Sequence, residues 1–335
     1  MPYDAGDFIY EKKDVENKSG AGIGMTEQRT MLRFRKLLCP VDFFPASLKA
    51  FDYALTLAAQ YGARVHALHV VAPVITAAYT ATDGLPFGAT DLTSELEKES
   101  RRLLQALKEK AVKAKIPIET EVRVGGTEGG IDDEILRAVE ADGADLVVMG
   151  THGRRGFKRW ILGSVIDQMM RRCPVPLLVT GSTTEVLSAP PEISRILVTT
   201  DFSAGTPDAL ALAFSIAREG EAKVTLLHVL PDLSLELGSE LKKPMVASLQ
   251  EKLDNLVPSD LKAKVRAQLE VGEPYRVIQR FIEAEKPDLV VMNIHGKAML
   301  DRLLLGSTAE RVLRSASDKC LFLLIPAAKT PKQKD

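Results

Sequence analysis

The sequence predicts an α/β protein made of two repeats, each an open, parallel five-stranded sheet with helices on both faces. Three observations carry this. Short apolar strands alternate with amphipathic helices along nearly the whole chain. The strands are apolar along their length, as strands buried on both faces are. Finally, "RKLLCPVDFFPASLKAFDYALTLAAQYGARVHALHVV" (35–71) reads against "SRILVTTDFSAGTPDALALAFSIAREGEAKVTLLHVL" (194–230). The interval from Asp42 to His69 equals that from Asp201 to His228. Further on, "DLVVMGTHG" (145–153) matches "DLVVMNIHG" (288–296), and "WILGSVIDQMMRR" (160–172) matches "LLLGSTAERVLRS" (303–315). His69 pairs with His228 and His152 with His295, so the duplication covers four of the five histidines.

In the first repeat "KLLCPV" is a short strand, "SLKAFDYALTLAAQYG" a helix ending near Gly62, and "RVHALHVV" a second strand. "SELEKESRRLLQALKEKAVKAK" is a long charged amphipathic helix with Leu96, Leu103 and Leu107 expected on its buried side. "IETEVRV" alternates as a half-buried strand. "IDDEILRAVEADG" is a helix, "ADLVVM" a buried strand, "SVIDQMMRR" a helix and "PLLVT" the last strand. Residues 1–31 have few apolar side chains and no period; they read as a disordered leader, with Met25 a second candidate start. The repeats span 32–182 and 193–327, joined by the linker 183–192, and 328–335 is a tail. The first repeat is longer, mostly through "APVITAAYTATDGLPFGATD" (72–91), read either as a loop over a site or interface or as a tolerated insertion.

The chain has 335 residues, 45% of them hydrophobic, enough apolar material for two cores. A formal net charge of -1 from 44 basic and 45 acidic residues argues against nucleic acid or an anionic membrane surface as partner. Cys39, Cys173 and Cys320 are far apart with no CxxC, so a disulfide framework or zinc site is not expected and a reducing, cytoplasmic location fits. No apolar run reaches the roughly 20 residues of a membrane span, and the N-terminus lacks the apolar core of a signal peptide.

In an open parallel sheet, ligands bind beyond the carboxyl ends of the strands where strand order reverses. Asp42 closes the first strand and the glycine loop begins at the end of the fourth, so neighbouring strands would bring both into one crevice. A carboxylate there suits a ribose hydroxyl or an adenine amino group. Gly150 and Gly153 would let backbone N–H groups close on phosphate oxygens, and Gly163 with Ser164 opens a helix whose N-terminus favours an anion. The arrangement reads as a mononucleotide site. Ser164 with Asp167, and Ser307 with Glu310, equally fit helix capping boxes, which need no ligand. There is no GxxxxGK[ST], and "GAGIGM" (20–25) does not follow a strand, so neither a P-loop nor a dinucleotide fingerprint is present.

The spacing Gly150-x2-Gly153-x9-Gly163-Ser164, with Asp42 closing the first strand and "PVPLLVT" ending the domain, resembles the universal stress protein (UspA-like) domain, in particular its ATP-binding branch. The resemblance implies a tandem member with a Rossmann-like, adenine nucleotide α-hydrolase-like fold. It implies ATP as ligand, with Mg or Mn carried by the phosphates and no protein metal site. Asp42 would meet the ribose or adenine with Pro40 and Val41 beside it, and the backbone near Val70 would hold the adenine edge. Met149 would lie beside them. Gly150, Gly153, Gly163, Ser164 and Val165 would line the phosphates. His152, Arg154 and Arg155 lie in the same loop, as phosphate contacts or as a solvated face. His69 and His228 are expected to be packed residues. In the second repeat Asp201, Gly296, Gly306 and Ser307 keep the pattern, whereas Asn293 replaces the first glycine and puts its side chain near the nucleotide. The family also implies pairing of the last strands edge to edge, here within one chain.

The resulting expectation is an ATP-binding stress-response or regulatory protein, binding mainly in the first repeat, with an unidentified protein partner and a homodimer as a further assembly. No dedicated catalytic apparatus is expected. The alternatives are an ATP-independent dimerising scaffold and a slow ATP-hydrolysing enzyme. The pyrophosphate-holding serine and glycine loop of ATP-using enzymes on related sheets is replaced here by "DFFPAS" and "DFSAGT".

Overall fold

The computed structural model describes residues 10–13, 29–32, 34–72, 89–125, 129–151, 163–181, 193–232, 239–294, 307–316 and 320–326. His152, Gly153, Arg154, Arg155, Gly296 and Gly306 lie outside them, as do residues 73–88 of the insertion. The chain divides into two compact units, one of Phe34–Pro191 with Leu313–Leu324, the other of Met1–Arg33, Glu192–Val312 and Ile325–Asp335. The segment read as a disordered leader carries a short antiparallel pair, β1 (Tyr10–Lys13) and β2 (Arg29–Leu32), with Tyr10 opposite Leu32. Four-residue strands are too short to show a period in the sequence, and their partners are distant along the chain.

The larger unit runs β3 (Lys36–Pro40), α1 (Pro45–Tyr61), β4 (Arg64–Val71), α2 (Ala89–Lys113), β5 (Ile118–Val124), α3 (Ile131–Asp142), β6 (Leu146–Gly150), α4 (Ser164–Arg172) and β7 (Leu177–Thr180). Its strand order is β7-β6-β3-β4-β5, all parallel. Strand order therefore reverses at β3, which lies between β6 and β4, and the neighbour relation that the crevice needs is present. Helix α1 starts on Pro45, whose fixed φ suits a first turn, and stops at Gly62 in the left-handed region (φ 66°). It buries Ala50, Phe51, Ala54 and Ala58 against the sheet. Helix α2 turns slightly from expectation. Ser100, Leu104 and Ala111 form its buried line against β4 and β5, Leu103 and Leu107 flank it, and Leu96 is 37% exposed.

The edge of this unit is completed by β12 (Leu321–Ile325), antiparallel to β7 with Phe322 opposite Val179 and Leu324 opposite Leu177. Every residue of both strands is buried. This ladder is the last-strand pairing expected from the resemblance, and it occupies an apolar edge that would otherwise be open to association.

The second unit contains β8 (Arg195–Thr200), α5 (Thr206–Glu219), β9 (Lys223–Leu230), α6 (Ser239–Asp254), β10 (Val265–Val271), α7 (Pro274–Glu285) and β11 (Leu289–Asn293), followed in the chain by α8 (Ser307–Ala316). Its strands lie in the order β10-β9-β8-β11, again parallel and again switching beside the first strand of the repeat.

At the other end of the strands, the Asp of each "DLVVM" fixes the entry of the repeat. Asp145 accepts the Arg35 N–H at 2.7 Å and the Lys36 N–H at 3.3 Å; Asp288 accepts Ser194 N–H and Arg195 N–H at 2.9 and 2.8 Å. The fifth histidine, His66, is buried and bonds through Nδ1 to Asp142, which also pairs with Lys36 at 3.2 Å. Burial opposes ionisation of Asp142, but His66 and Lys36 outweigh it and hold the carboxyl below its usual range. Thr225 and Glu285 make the matching bond in the second repeat at 2.9 Å.

Burial pushes the Asp145 carboxyl up to about 6, against the bonds from Arg35 and Lys36. A carboxyl raised in the folded state stabilises below its unfolded pKa, and that contribution is lost as pH rises through about 6. Asp145→Ala, which strands two backbone donors, is expected to cost about 1–3 kcal/mol. Urea unfolding should show a larger loss at pH 5 than at pH 7.5; the reverse order would mean that the ionised carboxylate is the stabilising form.

Candidate functional site

In each repeat the turn leaving the first strand is held by an Asp, a Phe and a His at matching positions. Val41 N–H still donates to Leu68 O at 2.8 Å, after which the chain turns. Oδ1 of Asp42 accepts Phe44 N–H at 3.1 Å and the Ser47 hydroxyl at 2.6 Å, and Ser47 Oγ in turn accepts Asp42 N–H at 3.2 Å. Both bonds to the carboxylate fall on Oδ1 and neither uses Oδ2. Asp42 thus shapes the loop ahead of α1, whose N-cap, Phe44, makes no side-chain cap bond. Asp201 repeats the turn by accepting Ser203 N–H at 3.0 Å.

Between them, Phe43 (φ 64°) and Phe202 (φ 57°) sit in the left-handed region, which costs a bulky residue roughly 1–2 kcal/mol. The histidines of the second strands hold these turns in place. His69 Nδ1 lies 2.6 Å from Val41 O and His228 Nδ1 2.7 Å from Thr200 O; because a carbonyl can only accept, the proton is on Nδ1 in both. The same imidazoles face the Phe43 and Phe202 rings, with centroids 4.7 and 4.5 Å apart. The expectation of packed histidines holds, and their bonding shows that they anchor the backbone beside the strand-end Asp.

The glycines meet the chain's own backbone. Neither Gly150 nor Gly163 has a positive φ. A Cβ on Gly150 would fall 2.7 Å from the Ala46 carbonyl carbon and 2.8 Å from Ala46 Cβ, so the glycine lets the start of α1 lie against the end of β6. Thr180 Oγ1 donates to Ala46 O at 3.2 Å and fastens the same corner. A Cβ on Gly163 would stand 3.2 Å from Thr151 O, which accepts Gly163 N–H at 3.1 Å, so the two ends of the glycine loop are tied together.

Gly163 is the N-cap of α4, with φ −61° and ψ 147°, and has no side chain to offer its first turn. This overturns the capping-box reading of Ser164. The serine is the first helical residue, one position too late to cap, and Asp167 pairs instead with Arg171 at 3.2 Å. The first turn of α4, with Ser164 and Val165, therefore has no side-chain cap.

The described site thus gathers Pro40, Val41 and Asp42 at the end of β3, Val70 near the end of β4, Met149 and Gly150 at the end of β6, and Gly163, Ser164 and Val165 at the start of α4. Val41, Val70 and Met149 are buried; Pro40, Asp42 and Gly150 are half-buried. The second repeat brings Asp201 and Asn293 to the equivalent strand ends, with Ser307 opening α8. The side chain of Asn293 turns toward the start of α5, where its amide donates to Ser203 Oγ at 2.9 Å. Sequence reading missed Ala46, whose contact with Gly150 is distant along the chain, and Ser47, whose bonds to Asp42 and Phe44 O stay within the turn.

The model of the universal stress protein family matches the chain twice, over residues 33–181 and 192–322. The chain belongs to the universal stress protein family. A universal stress protein of Methanocaldococcus jannaschii is 35% identical over 150 residues, 44% of this chain and 81% of its own length. One of Mycolicibacterium smegmatis is 25% identical over 298 residues, 84% of this chain and 94% of its own, so the likeness runs through both repeats. The crystal structure of a universal stress protein from Archaeoglobus fulgidus DSM 4304 covers 88% of this chain and 98% of its own with a TM-score of 0.63 at 21% identity, a likeness of fold.

For this tandem universal stress protein, Gly150→Ala is expected to destabilise by about 1–3 kcal/mol, since the methyl meets backbone. His69→Leu should cost a similar amount by leaving Val41 O without its donor, while His69→Asn, which keeps a donor near Nδ1, should recover part of it. Chemical unfolding of the three variants checks both; equal losses for Leu and Asn would remove the hydrogen bond from the account.

Proposed function

We propose that this universal stress protein binds ATP, mainly in its first repeat, and acts in the cytoplasm as a nucleotide-dependent stress-response or regulatory protein. One observation carries the reading: where strand order reverses between β3 and β6, Asp42 stands at one strand end and the other leads into the uncapped N-terminus of α4. Asp42 keeps Oδ2 outside its own turn and can accept from a ribose hydroxyl or the adenine amine. Pro40, Val41, Val70 and Met149 supply the apolar wall an adenine needs. The first-turn amides of Ser164 and Val165, with Gly150 and Gly163 beside them and the dipole of α4, suit phosphate oxygens, which would carry Mg or Mn with them. His152, Gly153, Arg154 and Arg155 complete the phosphate side of the proposal. Among the described residues no helix is long and apolar enough to cross a membrane.

A second reading, an ATP-independent dimerising scaffold, draws on the packing of Gly150 and Gly163, which gives both glycines a reason to exist without a ligand. Calorimetric titration with Mg-ATP, after removal of any nucleotide carried through purification, separates the two. About one site per chain is expected. Asp42→Asn keeps Oδ1 for the turn but loses the charge, so it should weaken binding roughly 10- to 100-fold with little change in unfolding midpoint. No binding and no carried nucleotide would leave the scaffold.

A further inference from the structure

The two repeats solve the same corner in opposite ways. In the first, the glycine is at the strand end (Gly150) and the methyl at the helix start (Ala46). In the second the glycine is on the other side: Asn293 ends β11 and Gly205 is the N-cap of α5, and a Cβ on Gly205 would fall 2.9 Å from Asn293 Oδ1. The room released by Gly205 is filled by the Asn293 amide. That amide bonds Ser203 Oγ, and the Ser203 N–H is held at 3.0 Å by Asp201. A hydroxyl both donates and accepts, so the bridge survives either orientation of the amide. The other end of the amide is buried and makes no hydrogen bond to the protein, and a buried polar atom left unpaired calls for an explanation.

The helix-start hydroxyl differs too. Ser47 bonds Asp42, whereas Thr206 bonds Thr200 Oγ1 at 2.9 Å. In the second repeat the strand-end loop is therefore tied across the switch point to β11 by the bond from Asn293 to Ser203, whose own N–H is held by Asp201. In the first repeat Gly150 has no side chain with which to make that link.

We propose that Asn293, Gly205 and Ser203 form a latch that holds the second crevice shut and confines adenine nucleotide to the first repeat. The inference rests on the nucleotide reading given above and names what decides which repeat is used. Gly205 is the part of the latch that makes space, Asn293 the bolt and Ser203 the catch.

The test is a count of Mg-ATP sites by equilibrium dialysis on full-length wild type, on Asn293→Ala, and on the exchange Gly205→Ala/Asn293→Gly, which copies the first repeat. Asn293→Ala only removes atoms and decides the matter if the exchange does not fold. Circular dichroism confirms the folded state. One site in wild type and two in either variant is the expected result. One site in wild type and one in both folded variants overturns the latch while the nucleotide reading stands, as do two sites in wild type. None in wild type but one in a variant supports the latch and refutes binding in the first repeat. None in any protein refutes both.

Discussion

The close approach of Gly150 to Ala46 sets the packing of the corner where the first repeat's strand order reverses. Packing the start of α1 against the end of β6 requires that one of the two backbones carry no side chain there, and Gly150 meets that demand. The Asp42 turn stands just ahead of this helix start. Its neighbour β6 then leads through Thr151 to the tied base of the glycine loop and to α4. A parallel sheet offers a crevice at its switch point in any case; the glycine decides how tightly that crevice is walled.

Around this corner each repeat adds a polar brace of the same construction. A strand-end carboxylate captures an amide two residues on, a histidine from the next strand captures the preceding carbonyl, and an aromatic in a left-handed conformation lies on the imidazole. The left-handed conformations of Phe43 and Phe202 are held in place by these neighbours. In the second repeat Lys252 Nζ also lies 4.6 Å from the Phe202 ring centre. Burial pushes the thiols of Cys39 and Cys173 up, Cys173 to about 12, and both serve as core.

Much of this architecture was legible in the sequence. The repeat, the strand sequence and the helix ends at Gly62 and Gly143 follow from period and from residues that tolerate positive φ. What remained hidden is non-local. The partner of Gly150 lies about a hundred residues earlier in the chain, so the glycine signalled a close approach without saying to what. The buried line of α2 through Ser100, Leu104 and Ala111 was obscured because two of its three members are small, and counting leucines pointed one residue aside. The cap of α4 was displaced by one position because Ser164 and Asp167 satisfy a capping pattern that Gly163 pre-empts. The β1–β2 pair joins four-residue strands, too short for any periodicity.

The most direct test of the account is hydrogen exchange on the full chain with and without Mg-ATP, followed by mass spectrometry of peptides from both repeats. Binding at the first switch point predicts slowed exchange over residues 41–48 and in the first turn of α4 from Gly163, with residues 200–207 unchanged. Equal slowing at Asp42 and Asp201, or none at either, would contradict it.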